Sequence, residues 1–495
     1  MLMTSITRKF LTLAFALAGA CGGAAAQEMT LETVLEEART RSVASVSAKS
    51  EFISSYWSWR SYLASRLPSL TLYGNLGGFD RSLRLLQDYN TGELVYRVNF
   101  NMQNDLGLRL RQNITATGGT LYLYSQLSRI DQFGENAGVT WYSQPLNLQY
   151  TQPLFGYNDF KWRKLISPKE YEKARRTYLE RMEDVNISAV TLYFNLLLAD
   201  RNLETARTNY ANTSAMLDVA RRRLELGSVT RDEYLQLELR MLNDSLSISE
   251  NEVELRKARM ELNSLLGYDE SYEISPVLDS SLPDITMDYE LVLDKSGTNS
   301  SFNLDGDINL LNAEAAIAQA KADRGITMSL NATFGLSASG SELAAVYRNP
   351  LHQEVVGLNF SVPIFDWGEG KGKVKKAEAA AEVVKATVAQ ERNDRRIALF
   401  TAVGQFNNQR QICLVSQRAE DIARERYALV MENFRGGTAT VTDLNTARSE
   451  SDTAIQNYIS DLSNFWIYYY NLRKYTLYDF MLERDLEVVP EELTM

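Results

Sequence analysis

The stretch LNFSVPIFDWG, at Leu358–Gly368, follows the same pattern as LQYTQPLFGYN, at Leu148–Asn158. Each stretch begins with residues that alternate in polarity and then reads Pro, an aliphatic residue and Phe. The two prolines, Pro153 and Pro363, are 210 residues apart. A pattern repeated at this distance indicates that one structural unit occurs twice in the chain.

The repeat extends into the region that follows these stretches. At the same offset, Leu224–Gly227 (LELG) aligns with Phe434–Gly437 (FRGG), and Glu233 aligns with Asp443. Chance similarity between two amphipathic helices would not keep a proline, a glycine and an acidic residue in one register. We therefore predict a duplicated unit. The expected parts are a first repeat at 27–267, a connection at 268–304, a second repeat at 305–478 and an acidic tail at 479–495.

Alternating polarity predicts four β-strands, two in each repeat. They are expected at about 69–77, 144–153, 326–336 and 355–363. Each strand would have one apolar and one polar face. Trp141 and Trp367 lie near strand ends, where the aromatic girdles of a membrane barrel would lie.

The remaining segments have the periodicity of unusually long helices. They are predicted at about 31–65, 168–226, 230–266, 306–323, 371–434 and 441–474. Pro168 is a good first-turn residue, and roughly 90 Å of helix would follow it at ~1.5 Å per residue. Apolar residues recur at steps of four and three from Val185 to Leu224, with Thr213 as the polar interruption, which is a heptad seam. Helices of this length must pack side by side in a bundle or a tube.

The first 26 residues have the features of a secretory signal peptide. Arg8 and Lys9 precede an apolar run, and cleavage is expected after Ala26. The alternative is a lipoprotein signal in which Cys21 carries the lipid. Either signal would take the protein out of the cytosol. Cleavage after Ala26 would leave Cys413 as the only cysteine, so that no intramolecular disulfide could form. The sequence after residue 26 contains no run of 18 apolar residues, so we predict no membrane-spanning helix there.

The charge balance of the chain is acidic. Without Arg8 and Lys9, the chain holds 50 of its 52 basic residues against 63 acidic ones, a formal charge of −13. This balance argues against a nucleic-acid partner.

The sequence offers no convincing motif for catalysis or cofactor binding. The stretch at Gly368–Lys373 has the composition of a phosphate loop. However, Trp367 and Val374 occupy the positions where that motif needs Gly and Ser or Thr. His352 is the only histidine, so a His-rich metal site is excluded. We therefore predict that the protein is not an enzyme and has no catalytic, cofactor-binding or metal-binding residues.

With these features, the chain resembles the TolC family of outer-membrane efflux proteins. The resemblance is carried by Val356–Val374 (VGLNFSVPIFDWGEGKGKV), Gln152–Lys164 (QPLFGYNDFKWRK), and two tip segments, LELGSVTRDEYLQLE and FRGGTATVTDLNTAR. It implies a mainly α fold with membrane β-structure. Each protomer of a homotrimer would give four strands to one outer-membrane β-barrel, continuous with a long α-helical periplasmic barrel. The implied function is a passive channel of a tripartite efflux or secretion system, and the alternative is a non-conducting scaffold or adhesin that spans the periplasm.

The resemblance also assigns a docking role to the tips of the long helices. The tips would contact a periplasmic adaptor protein and, through it, an inner-membrane pump, while outer-membrane lipid would surround the barrel. The implied docking residues are Leu226, Gly227, Ser228, Gly436, Gly437 and Thr438.

A gate is implied just beyond these tips. Asp443 matches the first of two acidic residues that line the narrow end of the tunnel, and Thr446 stands at the second position. A ring of three aspartates would attract cations, and mutual repulsion would raise their pKa values. Glu233 matches an acidic residue that ties neighbouring helices to an arginine. Ala439 occupies the place of that arginine, so the latch is expected to be absent or rebuilt; Phe434 completes the implied gate.

The segment at 79–140 is longer than the resemblance requires. It holds two further alternating runs, at 106–111 and 121–124, on either side of a turn at 117–119. We expect a long extracellular loop with some β-structure. The alternative is a hairpin added to the barrel, which would give six strands per protomer.

Overall fold

The computed structural model describes residues 27–87, 92–134 and 137–488. The predicted signal peptide at 1–26, with cleavage after Ala26 or lipidation of Cys21, lies outside these residues, as does the end of the predicted tail. The chain divides into two compact units. The helical unit takes in residues up to 53, residues 175–301 and residues from 393 onward, and the sheet unit takes in residues 54–174 and 302–392.

Both halves of the chain follow the order short strand, two helices, long strands, long helix and returning helix, but the first half has four long strands and the second half has two. The helices are α1 (Leu31–Arg41), α2 (Val43–Ala64), α3 (Asp159–Glu225), α4 (Arg231–Leu266), α5 (Tyr289–Asn299), α6 (Phe302–Arg324), α7 (Ala345–Arg348), α8 (Glu369–Gly436) and α9 (Val441–Thr476). The strands are β1 (Gln27–Met29), β2 (Ser69–Gln87), β3 (Leu94–Ile114), β4 (Gly119–Gln132), β5 (Gly138–Phe155), β6 (Ile274–Pro276), β7 (Thr327–Gly340), β8 (Leu351–Ser361), β9 (Tyr478–Asp479) and β10 (Arg484–Asp485). None of the helices in the described ranges is both long enough and apolar enough to cross a membrane.

The first long helix, α3, starts earlier than the sequence pattern predicted. It begins at Asp159, and Pro168 lies inside it instead of in its first turn. Its start is set by Asn158, whose side-chain oxygen accepts a backbone N–H of the first turn at 3.1 Å. Ahead of α8, Asp366 likewise accepts two backbone N–H groups, at 2.9 and 2.8 Å. A polar side chain that satisfies free N–H groups therefore starts each long helix.

The helix predicted at 31–65 is in fact two helices, α1 and α2, which meet at Ser42. The Ser42 N–H donates to the Ala38 carbonyl at 3.1 Å and closes α1. The Ser42 hydroxyl accepts the Ser45 N–H at 3.0 Å and caps α2. The backbone of Ser42 is extended, with ψ of 145°. A capping serine thus interrupts a helix that periodicity alone would continue.

The sheet unit contains one antiparallel sheet of six strands, in the order β2-β3-β4-β5-β7-β8. The expectation of a long loop at 79–140 is wrong, because most of this segment forms the ends of β2 and β5 and the whole of β3 and β4. β3 pairs with both β2 and β4, and β4 pairs with β5. Backbone hydrogen bonds to both neighbours satisfy the donors and acceptors of the added hairpin, which is why it lies within the sheet.

The two faces of the sheet differ in polarity, as the alternation of the sequence predicts. On the apolar face, Leu72 pairs with Leu108 and Leu330 pairs with Leu358. On the opposite, polar face the residues are mostly uncharged and hydrophilic. They include Thr71, Tyr73, Asn75, Arg109, Arg111, Tyr122, Tyr124, Asn147, Gln149, Thr151, Asn331, Thr333 and Asn359.

The core of the helical unit is formed by apolar faces of α1, α3, α4, α8 and α9. The heptad seam of α3 lies in this core from Val185 to Ala199. Leu203 and Ala206 are buried beyond it, and Leu217 and Ala220 are buried in a second cluster near the tips. The largest fully buried side chains of the main core include Tyr193, Leu196, Leu197, Leu262, Phe406, Phe465 and Tyr469. Most of the seam therefore packs against neighbouring helices as its spacing requires. Tyr210, which the spacing also places in the seam, is exposed, and Asn209 is buried in its place.

The connection predicted at 268–304 is partly structured. Its β6 pairs in parallel with β1, so that Met29 lies opposite Pro276. Tyr193 on α3 fixes this pair, because its hydroxyl donates to the Val277 carbonyl at 2.6 Å. The connection also contains α5, and α6 begins at Phe302, inside the predicted span. In the tail, β9 and β10 pair with each other.

Candidate functional site at the helix tips

The first tip is the turn that joins α3 to α4. Gly227 has φ of +72°, a left-handed conformation that glycine adopts without strain. The Ser228 N–H donates to the Arg223 carbonyl at 2.9 Å, which closes the helix as a Schellman motif. Thr230 caps α4, because its N–H donates to the Glu233 carboxylate at 2.8 Å and its hydroxyl accepts the Glu233 N–H at 3.2 Å.

The second tip, between α8 and α9, has the same hydrogen bonds. Gly437 has φ of +88°, and the Thr438 N–H donates to the Asn433 carbonyl at 2.9 Å. The Thr440 N–H donates to the Asp443 carboxylate at 3.0 Å, and the Thr440 hydroxyl accepts the Asp443 N–H at 3.1 Å. The duplicated sequence thus folds into a duplicated turn.

The residues assigned to adaptor docking are accessible in the single chain. Leu226 is an apolar side chain that is 82% exposed at the first turn. Ser228 and Thr438 are also exposed. Gly436 ends α8, and Gly437 provides the left-handed turn. Both turns are therefore exposed in the single chain.

Arg223 links the two tips, a role that the sequence did not indicate. Its Nη1 donates to the Phe434 carbonyl at 3.3 Å. Its guanidinium also occupies the space that a side chain at Gly437 would need.

Phe434, assigned to the gate by resemblance, is 4% exposed and packs in an apolar cluster. In the single chain, the Phe434 side chain therefore belongs to the core of the tips. The other buried members of this cluster are Met216, Leu217, Ala220, Leu237, Val441 and Leu444.

The acidic residues assigned to the gate hold the starts of the returning helices. Hydrogen bonds from the Thr440 hydroxyl and backbone lower the pKa of the Asp443 carboxyl below its ordinary value of 3.8. Hydrogen bonds from Thr230 likewise lower the pKa of Glu233. Within the single chain, this direction is opposite to the rise expected for a ring of three aspartates. Thr446 is exposed, and its hydroxyl donates to a backbone carbonyl of its own helix at 3.0 Å.

A buried polar cluster joins three helices close to the tips, and we term it the polar clamp. Arg448 on α9 donates two hydrogen bonds to Asp244 on α4, at 2.8 and 3.0 Å. Their side chains are 9% and 3% exposed. Thr213 on α3 donates to Asp244 at 2.6 Å. Asn209 on α3 donates to Asp452 on α9 at 3.1 Å. The polar clamp consists of these five residues and ties α3, α4 and α9 together.

One signal in the sequence pointed to this cluster. Thr213 is the polar residue in the heptad seam of α3, and a buried hydroxyl needs a hydrogen-bond partner. Its partners could not be identified, because Asp244 and Arg448 are distant in sequence and resemble ordinary charged residues on helix surfaces. Within the polar clamp, burial raises the pKa of the Asp452 carboxyl. The hydrogen bond from Asn209 and the positive charge of Arg448 offset part of this rise.

The described residues contain no group of three or more His, Cys, Asp and Glu side chains that could hold a metal ion. The loop at Gly368–Lys373 forms the start of α8, and Asp366 occupies two of its backbone N–H groups. His352 lies in β8, opposite Leu336.

Comparison with known sequences identifies relatives of the chain. The model of a family described as "Outer membrane efflux protein" matches residues 113–268 and 304–476, more than half of the chain. The alkaline protease secretion protein AprF of Pseudomonas aeruginosa is 26% identical over 264 residues, which cover 51% of this chain and 52% of AprF. The chain thus matches about half the length of this curated relative.

Solved structures extend the similarity to the fold. The outer membrane protein VceC of Vibrio cholerae superposes with a TM-score of 0.61 at 14% identity, over 92% of this chain and 97% of VceC. The CmeC outer membrane channel of Campylobacter jejuni superposes with a TM-score of 0.62 at 15% identity, over 93% of this chain and 88% of CmeC. At these identities the likeness shows a shared fold.

Proposed function

The chain belongs to the outer membrane efflux protein family, and from this we propose that three copies form a passive duct of a tripartite efflux or secretion system. The strands would form a barrel in outer-membrane lipid, and the helices would form a periplasmic tunnel. An inner-membrane pump would supply the energy through an adaptor. The proteins to which the chain is similar are named as channels or secretion proteins and not as enzymes.

The observation that carries this proposal is the two-faced, open sheet. Its apolar face holds leucines that are widely exposed in the single chain, such as Leu72 at 65% and Leu358 at 52%. Lipid is the surrounding that such a face requires. Within the described chain, β2 and β8 each lack a partner on one side, over 19 and 11 residues. Open edges of this length pair with further strands, and closure into a barrel removes them.

We place adaptor docking at the two tips. Both turns are exposed and carry the same backbone geometry, so one type of contact on an adaptor could fit both. Leu226 would supply the apolar contact of the first tip. Three copies would present six such turns in a pseudo-sixfold ring.

We place the gate next to these tips, with Asp443 and Thr446 facing the narrow end of the passage. Three Asp443 carboxylates would attract cations. The polar clamp would take over the latch that the family forms with an acidic residue and an arginine, since Glu233 caps its own helix and Ala439 replaces the arginine. Opening the gate would then require the helices joined by Asp244 and Arg448 to separate.

The transported substrate would be selected by the pump. AprF is named for the secretion of an alkaline protease, so a polypeptide is one candidate substrate for this chain. The family is described by efflux, and small molecules are the other candidate.

Conductance of the purified mature protein in a planar lipid bilayer tests the proposal. Small cation-favouring steps would support a duct that rests closed, and large steady currents would support a duct whose gate rests open. A trimer that inserts into lipid and never conducts, even after the polar clamp is removed by mutation, would favour the scaffold or adhesin instead.

The role of Asp443 needs a separate test. Asp443→Asn removes the charge and keeps a side-chain oxygen that can accept the Thr440 N–H at the start of α9. The variant should therefore show lower cation selectivity and weaker inhibition by multivalent cations. Glu233→Gln makes the matched change at the first tip and should have little effect. If the reversal potential is the same in the parent and Asp443→Asn, a different ring of residues controls ion passage.

A further inference from the structure

The β3–β4 hairpin extends to the end of the sheet at which the neighbouring helices attach. Next to its turn, the Asn113 side chain donates to the Ser65 carbonyl at 3.1 Å, just after the end of α2. The Asn158 side chain, just before α3, donates to the Thr115 carbonyl at 3.5 Å. β2 starts at this same end, since Ser69 pairs with Arg111. The hairpin is therefore a full-height part of the sheet.

Side chains on the polar face also fasten the hairpin to its neighbour β2. The Tyr73 ring lies over Gly107, where an added Cβ would be 2.6 Å from the ring. The Tyr73 hydroxyl reaches across β3 and donates to Gln126 on β4 at 3.3 Å. The Arg109 guanidinium lies 4.4 Å from the centre of the Tyr73 ring. One aromatic residue on β2 thus contacts both strands of the hairpin.

The hairpin brings two arginines, Arg109 and Arg111, and one aspartate, Asp105, to the polar face, so its net charge on that face is positive. The described contacts of both arginines are with uncharged groups. The Arg109 guanidinium lies over the Tyr73 and Tyr122 rings. Arg111 donates to the Asn113 side-chain oxygen at 3.2 Å. Their register partners across the other five strands are also uncharged. These partners are Thr71, Tyr124, Asn147, Gly335 and Gln353 for Arg109, and Ser69, Tyr122, Gln149, Thr333 and Val355 for Arg111.

The number of strands permits closure by copies of the same chain. In a sheet of six antiparallel strands, β2 and β8 run in opposite directions. β8 of one copy can therefore pair in antiparallel fashion with β2 of the next, and rotational symmetry closes the ring. An added hairpin keeps this relation, whereas one added strand would destroy it.

We infer that β3 and β4 form part of the pore wall, so that a trimer closes a barrel of 18 strands whose lumen carries a ring of six arginines. The inference rests on the proposed function. Compared with four strands per protomer, the barrel diameter increases roughly 1.5-fold, because diameter grows about linearly with strand number. The arginines of this ring, Arg109 and Arg111 from each copy, would attract solutes that carry carboxylate or phosphate groups.

Cysteine labelling in lipid vesicles tests the position of the hairpin, with single cysteines placed in a cysteine-free parent. Leu110→Cys and Arg111→Cys probe the two faces of β3. Phe334→Cys and Thr333→Cys are matched controls on β7, because they lie in the same cross-strand rows. For a pore wall, a membrane-impermeant maleimide should label only the polar-face positions, and a lipid-phase quencher should reach probes only at the apolar-face positions.

The result for the control pair on β7 distinguishes the inference about the hairpin from the proposed membrane barrel. If β7 alternates between water and lipid but both β3 positions react from water, the hairpin is an extramembrane flap and the inference fails, while the proposed membrane barrel stands. If neither pair alternates, the proposed barrel fails as well. Trimer formation of each variant on a native gel shows that labelling reports the assembled protein.

The arginine ring is tested by selectivity. Replacing Arg109 and Arg111 together by Gln should shift the reversal potential in a KCl gradient toward the value for a more cation-selective pore. Inorganic phosphate should also slow current in the parent more than in this variant. An unchanged reversal potential and unchanged phosphate sensitivity would overturn the anion-attracting ring.

Discussion

Replacing Asp244 by Ala is expected to weaken the packing near the helix tips by about 3 kcal/mol, because the buried guanidinium of Arg448 would lose its main partner. The pair makes hydrogen bonds of 2.8 and 3.0 Å, and 3% of Asp244 and 9% of Arg448 is exposed. Removing one member of such a pair costs about 3–5 kcal/mol. The lower end applies here, since Asp452 lies 3.6 Å from Arg448 and still offsets part of its charge.

Amide hydrogen exchange measured by mass spectrometry reports this loss in peptides that contain Thr213 and Arg448. A decrease of about 3 kcal/mol in local stability speeds exchange on the order of 100-fold. Glu252→Ala is the matched control, because the ion pair between Glu252 and Arg207, at 2.9 Å, also joins α3 to α4. In that pair the side chain of Glu252 is 50% exposed and that of Arg207 is 60% exposed. Such exposed pairs contribute only about 0–1 kcal/mol.

A double variant tests whether the two charges act as a pair. Asp244→Leu with Arg448→Met removes both charges and fills the space with apolar side chains. Because Thr213 and Asp452 also lose a partner, its stability should lie between that of the parent and that of Asp244→Ala. An acceleration below tenfold in Asp244→Ala would refute the reasoning, and so would a double variant as unstable as the sum of the two single changes.

Three further outcomes follow from the tips and the helical core. Gly437→Ala should destabilise the second tip by about 1–2 kcal/mol, because φ is +88° there. Gly436→Ala, in open space at the end of α8, should be neutral or stabilising by up to about 1 kcal/mol, and thermal unfolding compares the two. The hydrogen bonds that lower the pKa of Asp443 below 3.8 should keep its capping box intact from neutral pH down to about pH 4. The stabilisation should be lost as the pH falls through the lowered pKa, which amide exchange in the tip measures. Burial raises the pKa of Cys413 to about 11, so alkylation at pH 8 should require denaturant, and rapid labelling of the native protein would contradict its burial.

The repeats and the long helices could be predicted because they depend on local patterns. The heptad seam of α3 follows from the spacing of residues within one helix. The length of the strands could not be predicted in this way, because it depends on partners elsewhere in the chain. Leu108 is held between Leu72 on β2 and Ser125 on β4, and an alternating run alone does not specify such neighbours. For this reason the added hairpin was expected to be a loop.

In the candidate site, too, local motifs could be predicted and contacts between distant residues could not. Gly227 and Thr230 could be predicted as a helix end and a helix cap, since both motifs involve only nearby residues. The polar clamp could not, because Thr213 and Arg448 are 235 residues apart in sequence. Helix packing brings these two residues together. The seam showed that a partner for Thr213 was needed without showing which residue supplies it.

The hairpin within the sheet also has an evolutionary consequence. β2 starts and β5 ends at the same end of the sheet, since Ser69 pairs with Arg111 and Thr120 pairs with Thr151. Strands inserted between them must therefore come in pairs, or the chain would arrive at the wrong end to continue into α3. In the proposed barrel, insertion or loss of whole hairpins would change the diameter of the exit while the sequences of the two tips stay the same. Exit size and the proposed partner recognition at the tips would then evolve separately.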